Sequence, residues 1–128
     1  MRIKKIYLLL LFFILNYYLY ATEYYTYDKI DSTLHAWQNA FGVGEHVSSS
    51  YSGFGTIYEL QIIGKSSQDK LPIYAVKLSA NVKERKPEPK VLILGQCHAE
   101  EIYGVEIAME IINQFLHPDQ FQDNRTFL

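Results

Sequence analysis

Residues 91–116 read VLILGQCHAEEIYGVEIAMEIINQFL, and this stretch decides the predicted fold. It begins with Val91–Leu94, an unbroken apolar run that predicts a strand buried on both faces. From Glu101 to Leu116 apolar side chains recur at helical spacing, and His117-Pro118 ends the pattern. Further apolar residues widen the apolar face of this predicted helix. We therefore expect a strand followed directly by a mostly buried helix.

An earlier helix and two strands are predicted upstream of this stretch. Asp31-Ser32-Thr33 is a cluster of good N-cap residues, and the apolar residues after it recur at helical spacing up to Phe41. Ile57–Ile63 and Leu71–Leu78 are predicted to be strands. The order helix, strand, strand, strand, helix predicts an α/β sheet covered by helices. Because a strand buried on both faces needs further strands beside it, we expect residues 22–128 to be the N-terminal part of a larger domain.

Residues 1–21 are predicted to be a secretory signal peptide. Arg2, Lys4 and Lys5 precede the apolar run Ile6–Leu15, and the small residue Ala21 marks the predicted cleavage site. The alternative is an uncleaved anchor helix, but a bilayer span needs about 20 apolar residues. We therefore expect a secreted or periplasmic protein without stable membrane association after cleavage.

The charge and the cysteine content exclude several classes of protein. The whole chain has 12 Lys and Arg against 14 Asp and Glu. Because residues 1–21 contain three of the basic and none of the acidic residues, the mature chain would carry a net charge of −5. An acidic chain without a basic patch is not expected to bind nucleic acid. The single cysteine, Cys97, excludes an internal disulfide.

His98 and Glu101 form the candidate site. They lie three residues apart in the turn between the predicted strand and helix, so a helical first turn places both on one side. Sites in open α/β sheets form beyond the carboxyl ends of strands, and imidazole and carboxylate are both zinc ligands. The alternative is structural, because acidic residues in the first turn of a helix are favoured by the helix dipole.

The sequence around this pair resembles that of a known family. Pro89–Glu101 and the helix that follows resemble the first zinc-binding motif of the zinc carboxypeptidases (the funnelin metallopeptidases), in which His-x-x-Glu follows a central strand. Ile63–Ser66 and Leu71–Ser79 resemble two earlier strands of that family, and the helix around Trp37 falls where the family has its first helix. The resemblance covers roughly Thr22–Leu116.

The resemblance implies a fold and an activity. The implied fold is a mixed-sheet zinc-carboxypeptidase-like α/β/α domain, of which residues 22–128 would be the N-terminal portion. The implied protein is a secreted enzyme that uses a zinc-activated water to hydrolyse C-terminal peptide bonds of peptides or proteins. His98 and Glu101 would bind the one zinc ion, while a second His ligand and a general-base Glu are expected downstream. With two ligands only, we expect residues 1–128 to be inactive by themselves.

Two other functions stay open. The same fold could act on a different amide, by deacylating an amino acid or cutting a cell-wall peptide. The chain could also be a non-catalytic secreted α/β module in which His98 and Glu101 only begin a helix. Many family members have Arg between the two ligands, where this chain has Glu100, so the resemblance leaves the substrate open.

Four further residues, near or after the motif, are not assigned to the site. Cys97 is predicted to be a small buried hydrophobic residue, because neighbouring side chains on a strand point to opposite faces. His117 is predicted to end the second helix. Asn124-Arg125 resembles the family's substrate clamp but follows Glu101 too closely, so we do not assign it to the site.

Overall fold

The structure is a computed structural model that describes residues 24–44 and 53–118. It contains, in chain order, helix α1 (Tyr27–Phe41), strand β1 (Tyr58–Lys65), strand β2 (Pro72–Leu78) and helix α2 (Ile102–Leu116). The fold is therefore α/β, as predicted. The predicted signal peptide and Asn124-Arg125 lie outside the described residues. No helix in the described ranges has both the length and the apolar character that a membrane span requires.

Helix α1 begins earlier than the sequence pattern predicted. The side chain of Thr26 is the N-cap and accepts a hydrogen bond from the backbone N–H of Lys29. The predicted N-cap cluster Asp31-Ser32-Thr33 therefore lies inside the helix. Ser32 donates a hydrogen bond from its hydroxyl to the Lys29 carbonyl. The prediction for the N-cap was therefore wrong: Thr26, and not Asp31–Thr33, caps the helix.

The two predicted strands are confirmed and form an antiparallel hairpin. The pairing runs from Tyr58 opposite Leu78 to Lys65 opposite Pro72, with one irregularity between Ile62 and Gly64. Pro72 lies at the start of its strand, where a missing backbone N–H is tolerated.

The core lies between this hairpin and parts of both helices. Ile57, Tyr58 and Leu116 are buried in contact with one another, and six partly buried hydrophobic residues pack around them: Trp37, Phe41, Leu60, Val76, Leu78 and Ile112. The Tyr58 hydroxyl donates a 3.1 Å hydrogen bond to the Leu34 carbonyl, which ties α1 to β1. Burial raises the pKa of the Tyr58 hydroxyl. The core therefore joins α1, β1 and the C-terminal end of α2.

The prediction for Val91–Leu94 was wrong. These residues form no strand, and all four are exposed; Leu92 retains 82% of its accessible surface. The hairpin is the whole sheet within residues 24–44 and 53–118. A strand can be buried on both faces only where neighbouring strands and covering helices exist, and this part of the chain supplies neither to Val91–Leu94.

Helix α2 is confirmed, but its burial is less than predicted. Met109 and Leu116 are buried, whereas Ile102, Tyr103 and Ile107 near its start are exposed. His117 ends the helix, as predicted: its backbone N–H bonds to the Asn113 carbonyl. The C-terminal half of α2 therefore packs on the core, and its N-terminal half extends beyond it.

Candidate metal centre

The loop 95–101 is folded closely against the first turns of α2. The carbonyl oxygen of Gly95 lies so near the Cα of Gly104 that a Cβ at Gly104 would overlap it. A Cβ at Gly95 would in turn lie 3.2 Å from the Cβ of Ala108. The loop and the helix can therefore make this contact only because residue 104 has no side chain.

Glu101 holds the turn together through its carboxylate. Its Oε2 atom accepts hydrogen bonds from the backbone N–H groups of Cys97 (3.1 Å) and His98 (3.2 Å). The backbone continues the pattern, because Glu101 N–H bonds to the His98 carbonyl and Gly104 N–H bonds to the Glu101 carbonyl. These bonds fix both the direction of the Glu101 carboxylate and the path of residues 97–101.

His98 and Glu101 are both exposed in this turn. An imidazole nitrogen and a carboxylate oxygen are suitable zinc donors, and their exposure leaves them open to an ion. Within the described residues no His, Cys, Asp or Glu joins them in a group of three that could hold a metal. The donor chemistry of the pair thus fits zinc, but the pair supplies only part of a coordination sphere.

The prediction that Cys97 is buried was wrong. Cys97 is exposed and carries a free thiol. The prediction assumed that the strand continues through this residue, whereas residues 95–101 form a turn outside any strand. Its backbone N–H, bonded to Glu101, is the part of Cys97 that shapes the turn.

The other described histidines lie away from the turn. His35 is on α1, 3.5 Å from Asp31 through its Nδ1 atom, and its ring contacts Tyr74 edge-on. The Tyr74 hydroxyl donates a hydrogen bond to the Asp31 carboxylate, and this bond raises the pKa of Tyr74. His117 packs edge-on against Phe41 at the opposite end of α2. Each of these imidazoles is thus engaged with its own neighbours.

Two residues that shape the site were not predicted from the sequence. Gly104 is needed for the loop contact, and the signal for it was a glycine in the first turn of a helix, where Ala is favoured by about 1 kcal/mol. Glu106 accepts a 2.6 Å hydrogen bond at Oε1 from the backbone N–H of Tyr25. No local pattern could have revealed the second contact, because 81 positions separate the two residues.

Comparison with known proteins gives a match to a protein family. Residues 45–128 match the family model described as zinc carboxypeptidase, which is more than half of the chain. The matched range contains the hairpin, the loop 95–101 with His98 and Glu101, and α2. No curated protein and no solved structure matches the chain.

Proposed function

Because the chain belongs to the zinc carboxypeptidase family, we propose that it is the N-terminal part of an exported metallocarboxypeptidase that hydrolyses C-terminal peptide bonds. The observation that supports this proposal most directly is the turn at the start of α2. It presents His98 and Glu101 to solvent within the matched range, and its backbone is fixed by hydrogen bonds to the Glu101 carboxylate.

His98 and Glu101 are the proposed ligands of one zinc ion. Zinc supplies a Lewis acid that polarises the scissile carbonyl and lowers the pKa of a bound water. His98 contributes an imidazole nitrogen and Glu101 a carboxylate oxygen. Since the N–H groups of Cys97 and His98 both bond to Oε2, the carboxylate is oriented before an ion arrives. Such outer hydrogen bonds typically change metal affinity by about 10- to 100-fold.

The proposal requires groups beyond this pair. A third protein ligand would complete a catalytic zinc site, and a carboxylate would accept the proton of the attacking water. We place the second His ligand and the general-base Glu downstream of Leu128. Residues 1–128 by themselves would then bind zinc weakly and not hydrolyse peptides, because two donors hold zinc poorly and the proposed base belongs to the downstream part.

The test is zinc content and hydrolysis in a protein that extends beyond Leu128. His98→Ala should remove bound zinc together with chelator-sensitive release of a C-terminal residue from a peptide. His35→Ala is the matched control, because His35 is an exposed imidazole engaged with Asp31 and Tyr74. Unchanged zinc content in His98→Ala would contradict the proposal and leave a non-catalytic module.

A different amide substrate is the second candidate. Glu100 stands between the two proposed ligands, where many zinc carboxypeptidases have a cation, and it is exposed beside them. With Glu100 at this position, the contact that a cation could make to a substrate carbonyl or carboxylate is absent, which leaves room for a substrate other than the C-terminus of a peptide. Hydrolysis of an N-acylated amino acid or a cell-wall peptide, rather than a peptide with a free C-terminus, would support this candidate.

Export is proposed from residues 1–21, which resemble a signal peptide. The exported protein would begin at Thr22. Its intact mass, measured after purification from outside the cytoplasm, would show whether Met1–Ala21 has been removed. A mass that includes these residues would contradict cleavage.

A further inference from the structure

The two halves of α2 are held by different parts of the chain. Its C-terminal half is anchored in the core, where Leu116 contacts Ile57 and Tyr58. The first turns, which carry the loop with the proposed zinc ligands, lie outside that core, and Tyr103 there is 69% exposed. Burial therefore fixes the far end of α2 and not the end that bears the loop.

The first turns of α2 are contacted instead by two residues that precede α1. The backbone N–H of Tyr25 donates to Glu106 Oε1 at 2.6 Å. The Tyr24 ring lies edge-on to the Tyr103 ring, with centroids 6.2 Å apart and planes at 78°. Hydrogen bonding with Tyr103 also raises the pKa of the Tyr24 hydroxyl. Tyr24 and Tyr25 together are called the strap below.

The strap is itself tied to the packed part of the molecule. Tyr27, the first residue of α1, donates from its hydroxyl to the Pro72 carbonyl at 3.0 Å. Further along α1, the Gln38 side chain accepts a 2.7 Å hydrogen bond from the backbone N–H of Leu60 in β1. Thus the strap continues directly into a helix that is bonded to both strands.

We propose that the strap sets the position of the first turns of α2, and that Glu106 is a positioning residue for His98 and Glu101. This inference rests on the proposed zinc function. Glu106 is connected to the proposed ligands through Gly104, which lies in the same turns of α2. Gly104 bonds through its N–H to the Glu101 carbonyl and contacts Gly95 at the beginning of the loop. A displacement of the first turns must therefore move the Glu101 backbone and the loop together.

The experiment compares Glu106→Ala with Glu106→Gln and Glu110→Ala in the full chain. Alanine removes the acceptor for Tyr25, whereas glutamine keeps an oxygen at the same place. Glu110 is the matched control, because it lies one turn further along α2 and accepts from Gln114. The readout is hydrogen exchange at the amides of Cys97, His98, Glu101 and Gly104, all of which are hydrogen-bonded donors.

We expect Glu106→Ala to speed exchange at these four amides about five- to tenfold, the effect of losing one hydrogen bond of ordinary strength. Glu106→Gln should restore most of the protection, and Glu110→Ala should leave it unchanged. Equal exchange in all three variants would overturn the proposal. If Glu106→Ala also speeds exchange at the amides of β1 and β2, the substitution has loosened the fold as a whole. Tyr25→Pro, which removes the donor instead of the acceptor, then gives the deciding measurement.

Titration with zinc alone, followed by the resonances of the same amides, separates positioning from structural support. Glu106→Ala should weaken the zinc affinity about tenfold, as expected when a group that orients a ligand is lost. Faster exchange with unchanged zinc affinity would overturn the positioning role. An unaltered zinc response in His98→Ala would instead reject the proposed function, while the exchange data would still report on the strap.

Discussion

Gly104 lies in the first turn of α2, where its Cα faces the carbonyl oxygen of Gly95. Helix propensity alone predicts that Gly104→Ala stabilises the helix by about 1 kcal/mol. The added Cβ would however overlap a backbone atom, which cannot rotate away as a side chain can, and such overpacking costs about 1–3 kcal/mol. We therefore expect Gly104→Ala to lower the free energy of unfolding, measured by urea denaturation.

Gly64→Ala provides the control for that substitution. A Cβ at Gly64 would lie 3.7 Å from Ile73 Cδ1, which is an ordinary contact. We expect a change within about 0.5 kcal/mol, as for other uncrowded surface positions. If Gly104→Ala were as stable as Gly64→Ala, the loop 95–101 would not be packed against α2 as described.

Tyr58 is the residue whose ionisation is expected to affect stability most clearly. It is fully buried, and burial raises the pKa of its hydroxyl above the ordinary value. A group with a raised pKa in the folded state stabilises the fold fully below its unfolded pKa. Stability should therefore fall as the pH rises above about 10, where the unfolded chain loses the tyrosine proton first.

Tyr58→Phe tests this alkaline dependence. Removal of the hydroxyl should lower stability at neutral pH by about 1 kcal/mol, because the bond to the Leu34 carbonyl is lost. It should also flatten the decline between pH 9 and 11 in urea denaturation. Tyr103→Phe, at an exposed ring, should retain the larger part of the decline, because the Tyr103 hydroxyl raises only the pKa of the exposed Tyr24. An unchanged slope in Tyr58→Phe would show that other groups cause the loss.

At the scale of elements, helices and strands with local sequence signals were predicted correctly. Segments whose structure depends on contacts with other parts of the chain were misplaced. The hairpin strands and α2 were predicted because their apolar periodicity and flanking turn residues are local signals. The start of α1 was placed too late, because Asp31–Thr33 are good N-cap residues that here lie within the helix. Val91–Leu94 was misassigned because its apolar run predicts burial without specifying what covers it.

The effect of a substitution at Leu92 on stability tests whether Val91–Leu94 is an exposed segment or a buried strand. Because Leu92 is exposed, we expect Leu92→Gln to change the free energy of unfolding by less than about 0.5 kcal/mol. Leu116→Ala, in the core, should cost about 2–5 kcal/mol. Urea denaturation of the 128-residue chain would measure both changes. A loss of more than about 2 kcal/mol in Leu92→Gln would show that Val91–Leu94 is covered.

At the scale of the whole molecule, the candidate site was only partly predictable. His98 and Glu101 could be paired from the sequence because they are three residues apart and precede a helix. The strap could not, since Tyr25 and Glu106 meet only after α1, the hairpin and α2 have assembled. The exposure of Cys97 was also missed, because it depends on the loop leaving the predicted strand. The ligand pair could thus be predicted from the local sequence, whereas the long-range contacts that support it could not.

The separation of the core from the zinc pair predicts how metal affects the stability of residues 1–128. Leu34, Tyr58 and Leu116 are buried, whereas His98 and Glu101 lie on an exposed turn. A chelator should therefore leave the urea midpoint unchanged. Added zinc should stabilise by mass action only, about 0.4 kcal/mol when the free zinc concentration equals the dissociation constant.

His98→Ala should abolish this small stabilisation by zinc, while His117→Ala should retain it because His117 packs against Phe41 at the other end of α2. Removal of His117 can lower the starting stability, so the comparison is the zinc-induced change within each variant. A chelator that lowered the midpoint of the unsubstituted chain would contradict the prediction. It would mean that a metal is already held by more donors than His98 and Glu101, and that folding of this chain depends on the ion.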